Sequence, residues 1–291
     1  MKPNILKNKK RFKKRYFFYG TIFLYILMCQ SCMKFRYSEK KTAAFFKANK
    51  LNYADKLFVN DEHTLHYISS GNPQMPTLFF VHGSPGSWDA FKDYLKDSLL
   101  LKKYRMIAID RPGFGYSDFG TAEDLTSQSK IIYAFIKSVD NKMPIALIGH
   151  SMGGPVIVKL ATEYPGFYKH IVVLSGSVDP NAETPEKWRP FLISKPLRYL
   201  IPGALRPSND ELWWLKKDLV EMKPDLKKIT CAVTIIHGTK DQLVPYSNVA
   251  FMKKAFVNAK SIDVIAIENA NHFIPWEHSE IIRNALDNLK M

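Results

Sequence analysis

Ile145-Ala146-Leu147-Ile148-Gly149-His150-Ser151-Met152-Gly153-Gly154 is the stretch that decides how this chain folds. Four apolar residues stop at a glycine, and a helical pattern begins at Gly154. A short apolar run closed by a turn reads as a strand buried on both faces. The turn from strand to helix must be sharp. It forces Ser151 into a strained backbone conformation, lifts its Oγ above the end of the sheet, and needs glycine on either side to leave room for neighbouring backbone. The start of the following helix also favours negative charge developing beside it. A Gly-x-Ser-x-Gly string alone arises by chance in a chain of this length with a probability on the order of 0.05. The strand before it and the helix after it give the string its meaning.

Outward from that turn, β-branched and aromatic runs alternate with helical ones. Residues 57–59 and 64–69 read as an antiparallel start. Residues 77–81, 105–110, 145–148, 171–174, 232–236 and 262–267 read as buried strands. Helices are expected over 88–101, 122–139, 154–163, 247–258 and 278–290. This pattern belongs to the α/β class, a mostly parallel eight-stranded sheet flanked by helices. The alternation breaks over about 179–228, after the sixth strand, where prolines and two helical stretches (188–200 and 210–222) replace any strand. An insertion of that length with helices of its own reads as a small cap. Its Trp188, Phe191, Leu192, Trp213 and Trp214 either cover a pocket or pin the insertion to the core.

Composition sets outer limits. An apolar fraction of 46% with 24% charged residues in 291 residues is that of one ordinary globular domain. The formal charge of +15 is concentrated rather than spread: eight basic residues, from Lys2 to Arg15, precede residue 16, and no acidic residue precedes Glu39. A nucleic-acid partner is therefore not implied. A basic run, the apolar residues 16–28 and then Gln30-Ser31-Cys32 read as a targeting segment over 1–31. Its apolar part is shorter than the ~20 residues a spanning helix needs. Ser31-Cys32 resembles the end of a bacterial lipoprotein signal, with Cys29 where such signals usually carry leucine, so Cys32 is a candidate lipidation site and an uncleaved anchor is the alternative. Either way the chain is expected to be exported and membrane-attached, in a bacterial cell envelope. Residues 32–55, with a short helical pattern around 43–50, read as a tether, and 56–291 as the catalytic domain. Cys29-x-x-Cys32 supplies only two ligands, and no second Cys or His cluster lies near it, so no metal site is expected.

A serine hydroxyl needs a base to take its proton as it attacks. His150 adjoins Ser151, but the turn that exposes the serine points its neighbour elsewhere. His272, in a loop after the last strand, can return to the same edge of the sheet. Its ring needs an acid to fix the tautomer, and Asp241 follows the strand 232–236. Asp179, after 171–174, is the rival. An oxyanion must be met by preorganised donors, and the turn His82-Gly83-Ser84-Pro85-Gly86-Ser87 offers the Ser84 N–H to pair with that of Met152. Pro85 has no N–H to give.

These strings together, HGSPGS at 82–87, DRPGFGYSD at 110–118, GHSMGG at 149–154, HGTKDQLVP at 237–245 and NHFIPWE at 271–277, resemble the α/β-hydrolase fold superfamily. The resemblance covers 56–291 and leans towards carboxylesterases and lipases. It implies the order nucleophile, acid, histidine (Ser151, Asp241, His272), a small-molecule ester substrate with a hydrophobic group, and no cofactor. Segment 110–118 borders the site in relatives and marks the fold. Epoxide hydrolases and haloalkane dehalogenases of similar pattern carry aspartate where Ser151 stands. Proline iminopeptidases have a related His-Gly-Gly-Pro-Gly loop, and no acidic cluster for a substrate amine is evident here. Peptidases, carbon–carbon bond hydrolases and perhydrolases use the same constellation, and an anchored binding module without turnover is the reading from another class.

Overall fold

The computed structural model describes residues 14–60 and 62–291, so most of the basic N-terminal run lies outside the described residues. The chain forms the expected eight-stranded sheet, with strands β1 (Tyr53–Val59), β2 (Thr64–Ser70), β3 (Thr77–Val81), β4 (Arg105–Ile109), β5 (Ile145–His150), β6 (His170–Leu174), β7 (Ala232–Gly238) and β8 (Ser261–Ile267). Their order is β1-β2-β4-β3-β5-β6-β7-β8. β1 pairs with β2, and β2 with β4, antiparallel; every other pairing is parallel.

The central strands read as continuous apolar runs because alternate residues feed two cores. Leu147, Ile171 and Val173 pack on one face with the helices Leu125–Ser138 and Gly153–Glu163. Ile148, Val172 and Leu174 pack on the other, with Trp88, Leu95 and Ile282. From β3 the chain passes outward to β4 and then returns across the sheet to β5, on the far side of β3. The turns leaving β3 and β5 therefore run apart, and a crevice opens between them at the carboxyl ends of the strands.

Three expectations need correction. The helix expected over 88–101 is a 3-10 turn, Trp88–Phe91, and two short helices, Lys92–Leu95 and Ser98–Lys103. Asp97 breaks it, because its carboxylate accepts from Leu99 N (2.9 Å) and Leu100 N (3.1 Å) and starts a fresh helix there. The stretch 188–200 is likewise split, into Arg189–Ile193 and a 3-10 turn, Leu197–Leu200, with Pro196 between them. The second cap helix begins earlier than expected and runs Leu205–Met222, with Pro207 in its first turn, where an N–H has no intrahelical acceptor to lose.

Residues 32–55 are no loose tether. Helix α1 (Lys14–Ser31) precedes them, and they contain helix α2 (Glu39–Ala48), opened by Ser38 Oγ accepting from Lys41 N at 3.3 Å. Phe46 of α2 is fully buried, stacked on Tyr53 at 4.2 Å and near Trp88 at 6.1 Å between ring centroids. The folded domain thus includes α2 rather than beginning at residue 56.

On β2 a buried histidine lies between two carboxylates. His66 Nδ1 is 2.8 Å from Asp110 Oδ2, and its Nε2 is 2.9 Å from Asp55 Oδ1. Asp110 also accepts from Trp88 N (2.7 Å) and Tyr116 N (2.9 Å). Burial disfavours the imidazolium, but the bonds to Asp110 and Asp55 outweigh it and raise the His66 pKa above its ordinary value. A raised folded pKa stabilises the protein fully below the unfolded value of about 6.5, and that stabilisation is lost as pH rises through the folded one. Urea denaturation of wild type and His66→Asn at several pH values should show the largest difference below about pH 6 and a smaller one above the shifted pKa. A difference that grew towards alkaline pH would show that His66 is held neutral.

Candidate active site

Ser151 sits where β5 gives way to the helix Gly153–Glu163, with φ +53°, in the left-handed region that residues with a side chain seldom adopt. The chain holds it there from both sides: Ser151 N donates to Leu174 O at 3.0 Å, and Gly154 N donates to Ser151 O at 2.9 Å. A Cβ on Gly153 would lie 2.1 Å from Val81 O, so only glycine lets the helix start this close to β3.

Asp241 follows β7 in a tight turn in which its Oδ1 accepts from Leu243 N (2.9 Å) and Val244 N (2.8 Å). Its Oδ2 is left to face His272 Nδ1, at 2.8 Å. Both side chains are almost wholly buried. Burial alone would raise the carboxyl pKa, but the bonds from His272 and the Val244 amide overcome it and hold Asp241 below its ordinary value. An ionised Asp241 assigns the proton to Nδ1 of His272 and leaves Nε2 free to accept.

Two further histidines brace this pair. His150 Nε2 donates to the His272 carbonyl at 3.0 Å, and the two rings lie 4.9 Å apart. Burial, with His272 close by, pushes His150 down to about 3, so it is a neutral donor that fixes the loop rather than a second base. His237 donates Nε2–H to Val244 O at 2.9 Å and lies 3.5 Å from Asp241; burial lowers its pKa as well. Asp179 is turned to its own loop, where it accepts from Asn181 N at 2.9 Å, and it has no bond to His272.

The turn after β3 passes over the serine so closely that a Cβ on Gly83 would lie 3.0 Å from Ser151 Cβ. Among the described residues neither the Ser84 nor the Met152 amide donates to an acceptor of the chain. A buried guanidinium holds this turn. Arg111 Nε donates to His82 O (2.9 Å) and Nη2 to Gly83 O (3.0 Å), while Nη1 and Nη2 reach Glu211 of the cap helix Leu205–Met222 at 2.7 and 2.9 Å. Arg111 N donates to His82 Nε2 at 2.9 Å, and burial together with Arg111 keeps His82 well below its ordinary pKa. Ser84 Oγ meets Ser208 Oγ of the same cap helix at 2.8 Å.

Ser151, Met152, Ser84 and His272 all line one cavity of about 1070 Å³, with Asp241 behind His272. Of the two readings of the cap's large apolar side chains, covering the pocket is not the one the structure takes. Leu205, Leu212 and Leu215 face the cavity at helical spacing, whereas Trp188, Phe191, Leu192, Trp213 and Trp214 do not line it. Phe35, Leu243, Phe273 and Trp276 complete the apolar wall, and Glu183 stands in it, its carboxylate taking the Ser177 hydroxyl bond. Cys32 is exposed and lies outside the cavity; Cys29 and Cys231 are buried free thiols. Among the described residues no three His, Cys, Asp or Glu side chains are grouped to hold a metal ion.

Sequence reading missed the parts of Arg111, Glu211 and Glu183. The first lies in the segment 110–118, whose pattern marks the fold and not a charge partner, and the other two lie in the insertion, where no strand pattern fixes position. Glu211→Ala would leave the Arg111 charge buried without its anion, and urea denaturation should show a loss of about 3–5 kcal/mol. Replacing both, Arg111→Met with Glu211→Leu, should recover much of it. A single variant within about 1 kcal/mol of wild type would mean that the pair does not anchor the cap.

A family model described as the alpha/beta hydrolase fold matches residues 76–200. The uncharacterized hydrolase YugF of Bacillus subtilis is 24% identical over 77% of this chain and 93% of its own length. The monoacylglycerol lipase ABHD6 of Homo sapiens is 24% identical over 75% of this chain and 76% of its own, and epoxide hydrolase 3 of Xenopus tropicalis is 26% identical over 58% and 47%. Among solved structures, an esterase from Exiguobacterium antarcticum superposes with a TM-score of 0.64 at 21% identity, covering 79% of this chain and 96% of that one. The sheet order, the insertion after β6 and the match over 76–200 give the chain the α/β-hydrolase fold.

Proposed function

We propose that the protein is a serine hydrolase cleaving carboxylic esters, with Ser151 as nucleophile, His272 as general base and Asp241 as the acid that orients the base. The observation that carries this reading is the Asp241–His272 hydrogen bond, 2.8 Å long, behind a cavity that also exposes the strained serine. His272 Nε2 takes the Ser151 proton as Oγ bonds to the ester carbonyl carbon. The carbonyl oxygen becomes an oxyanion, met by the Ser84 and Met152 N–H groups. As the bond to the alcohol oxygen breaks, His272 returns the proton to that oxygen. Water then repeats the sequence on the acyl-serine and releases the acid. None of these steps needs a metal or an organic cofactor.

The apolar wall favours an ester with a hydrophobic acyl or alcohol group, in line with the monoacylglycerol lipase and esterase among the similar proteins. The epoxide hydrolase similarity spans less than half of that protein. One observation favours a second reading: the Glu183 carboxylate in the cavity wall could hold a substrate amine, as an aminopeptidase would require. The protein is further proposed to be exported to a bacterial cell envelope and attached to a membrane through its N-terminal segment.

A fluorophosphonate probe should label Ser151, and Ser151→Ala and His272→Ala should each abolish turnover across a panel of esters of graded acyl length. Retention of more than about a hundredth of the activity in the serine variant would sink the assignment. Asp241→Asn is expected to lower kcat by about 10³ or more, while Asp179→Asn leaves it near wild type. Peptide amides with a free amino terminus, included in the panel, separate the second reading: preference for them, lost in Glu183→Gln, would replace the ester assignment.

A further inference from the structure

Helix α1 is apolar over most of its length and packs against the cap at one end only. Tyr25 Oη donates to Leu200 O (3.0 Å), Gln30 Nε2 donates to Tyr199 O (3.2 Å), and Arg206 donates to Gln30 Oε1 (2.7 Å). The backbone closes the joint: Gly203 N donates to Cys29 O and Ala204 N to Met33 O, each at 2.9 Å. A Cβ on Gly203 would lie 2.3 Å from the carbonyls of Cys32 and Met33. Cys29 is fully buried in this joint. The C-terminal end of α1 is thus built into the cap, and cutting the chain at Ser31-Cys32 would strip Gly203 N of its acceptor.

The rest of α1 lies bare. Phe17 is 73% exposed, Phe23 61% and Leu24 66%. The 3-10 turn Leu197–Leu200 that receives α1 also touches the helix Arg189–Ile193, where Phe191 is 69% exposed. From α1 the chain runs through exposed Phe35 into the wall of the cavity, which exposed Phe273 and Trp276 also line. Scattered exposed apolar residues need no explanation, but exposed apolar side chains gathered on α1, on the turn it joins and on the helix beside that turn mark an interaction surface. Its charge setting points to the partner: eight basic residues precede residue 16, and no acidic one comes before Glu39. Apolar side chains flanked by Lys and Arg match an anionic bilayer, with acyl chains for the first and headgroups for the second. No described helix is long and apolar enough to cross a membrane.

We infer that α1, kept in the mature protein, and the adjoining edge of the cap dock together on an anionic bilayer, and that the substrate is a lipid ester taken from that bilayer into the cavity. The inference rests on the ester-hydrolase reading for its substrate, not for its surface. It also replaces lipidation at Cys32, because a retained α1 leaves Cys32 inside the chain.

Full-length protein would be floated with vesicles of phosphatidylcholine alone or mixed equally with phosphatidylglycerol. Turnover would be measured on a soluble short-chain nitrophenyl ester and on a long-chain glycerol monoester carried in the vesicles. Wild type should float with the anionic vesicles, less so at high salt, and should hydrolyse both esters. Phe23→Asp with Phe191→Asp should lower vesicle binding and monoester turnover by about tenfold or more, and leave soluble-ester turnover unchanged. Mass spectrometry of the membrane fraction should show residues 1–31 still present. Equal flotation of the double variant, absence of 1–31, or a dimer that the same substitutions dissolve would overturn the docking face. Flotation without turnover of either ester would refute the ester-hydrolase reading, and the lipid substrate with it, while the docking face stands.

Discussion

A guanidinium taken wholly out of water must find an anion and several acceptors, or the fold cannot keep it. Arg111 meets that demand from three parts of the chain at once: the carboxylate of Glu211 in the cap, the amide of Gln128 in the helix Leu125–Ser138, and the carbonyls of His82 and Gly83 in the turn over Ser151. The constraint therefore runs in both directions. The cap cannot shift without disturbing the turn whose Ser84 amide is proposed to meet the oxyanion, and the turn cannot relax while the cap holds its partner. The Ser84–Ser208 hydrogen bond repeats the connection a few residues away.

Sheet topology supplies the other half of the site. Because β3 and β5 are neighbours although β4 lies between them in sequence, the turns that leave them diverge at one edge and leave space above Ser151. The loops after β7 and β8 reach the same edge, so Asp241 and His272 meet although 31 positions separate them. Two glycine-rich turns and one carboxylate–imidazole pair are thus placed by strand order, before any side chain has been chosen for chemistry.

What could be read from the sequence follows from how local the cause is. The strands at 77–81 and 145–148 announce themselves through β-branched and apolar runs, and their ends through Gly and His, because a strand buried on both faces tolerates little else. Ser151 was legible for the same reason, since its turn demands glycines at fixed offsets. The break at Asp97 was legible in principle, as an N-cap residue inside a helical pattern. A short helical pattern around 43–50 was legible, but its packing into the domain was not: only Thr42 and Phe46 of α2 are buried, a pair four residues apart, too little periodicity to separate a docked helix from a tether. Nor were the partners of Arg111 and His66, for the pairing of distant charges is decided by packing alone. The cap aromatics misled because an apolar side chain in an insertion has two places to go, the cavity or an outer surface, and hydropathy does not distinguish them.

His150 and His237 flank the Asp241–His272 pair, and burial holds both below their ordinary pKa. In the proposed reaction His272 becomes a cation at the moment of attack. A second positive ring 4.9 Å away would oppose that charge by about 3 kcal/mol at an effective dielectric of about 20, roughly a hundredfold in rate. Kept uncharged, His150 gives the loop its hydrogen bond and adds no electrostatic opposition. The apolar packing around these rings thus acts as an insulator, confining the reaction's positive charge to a single imidazole.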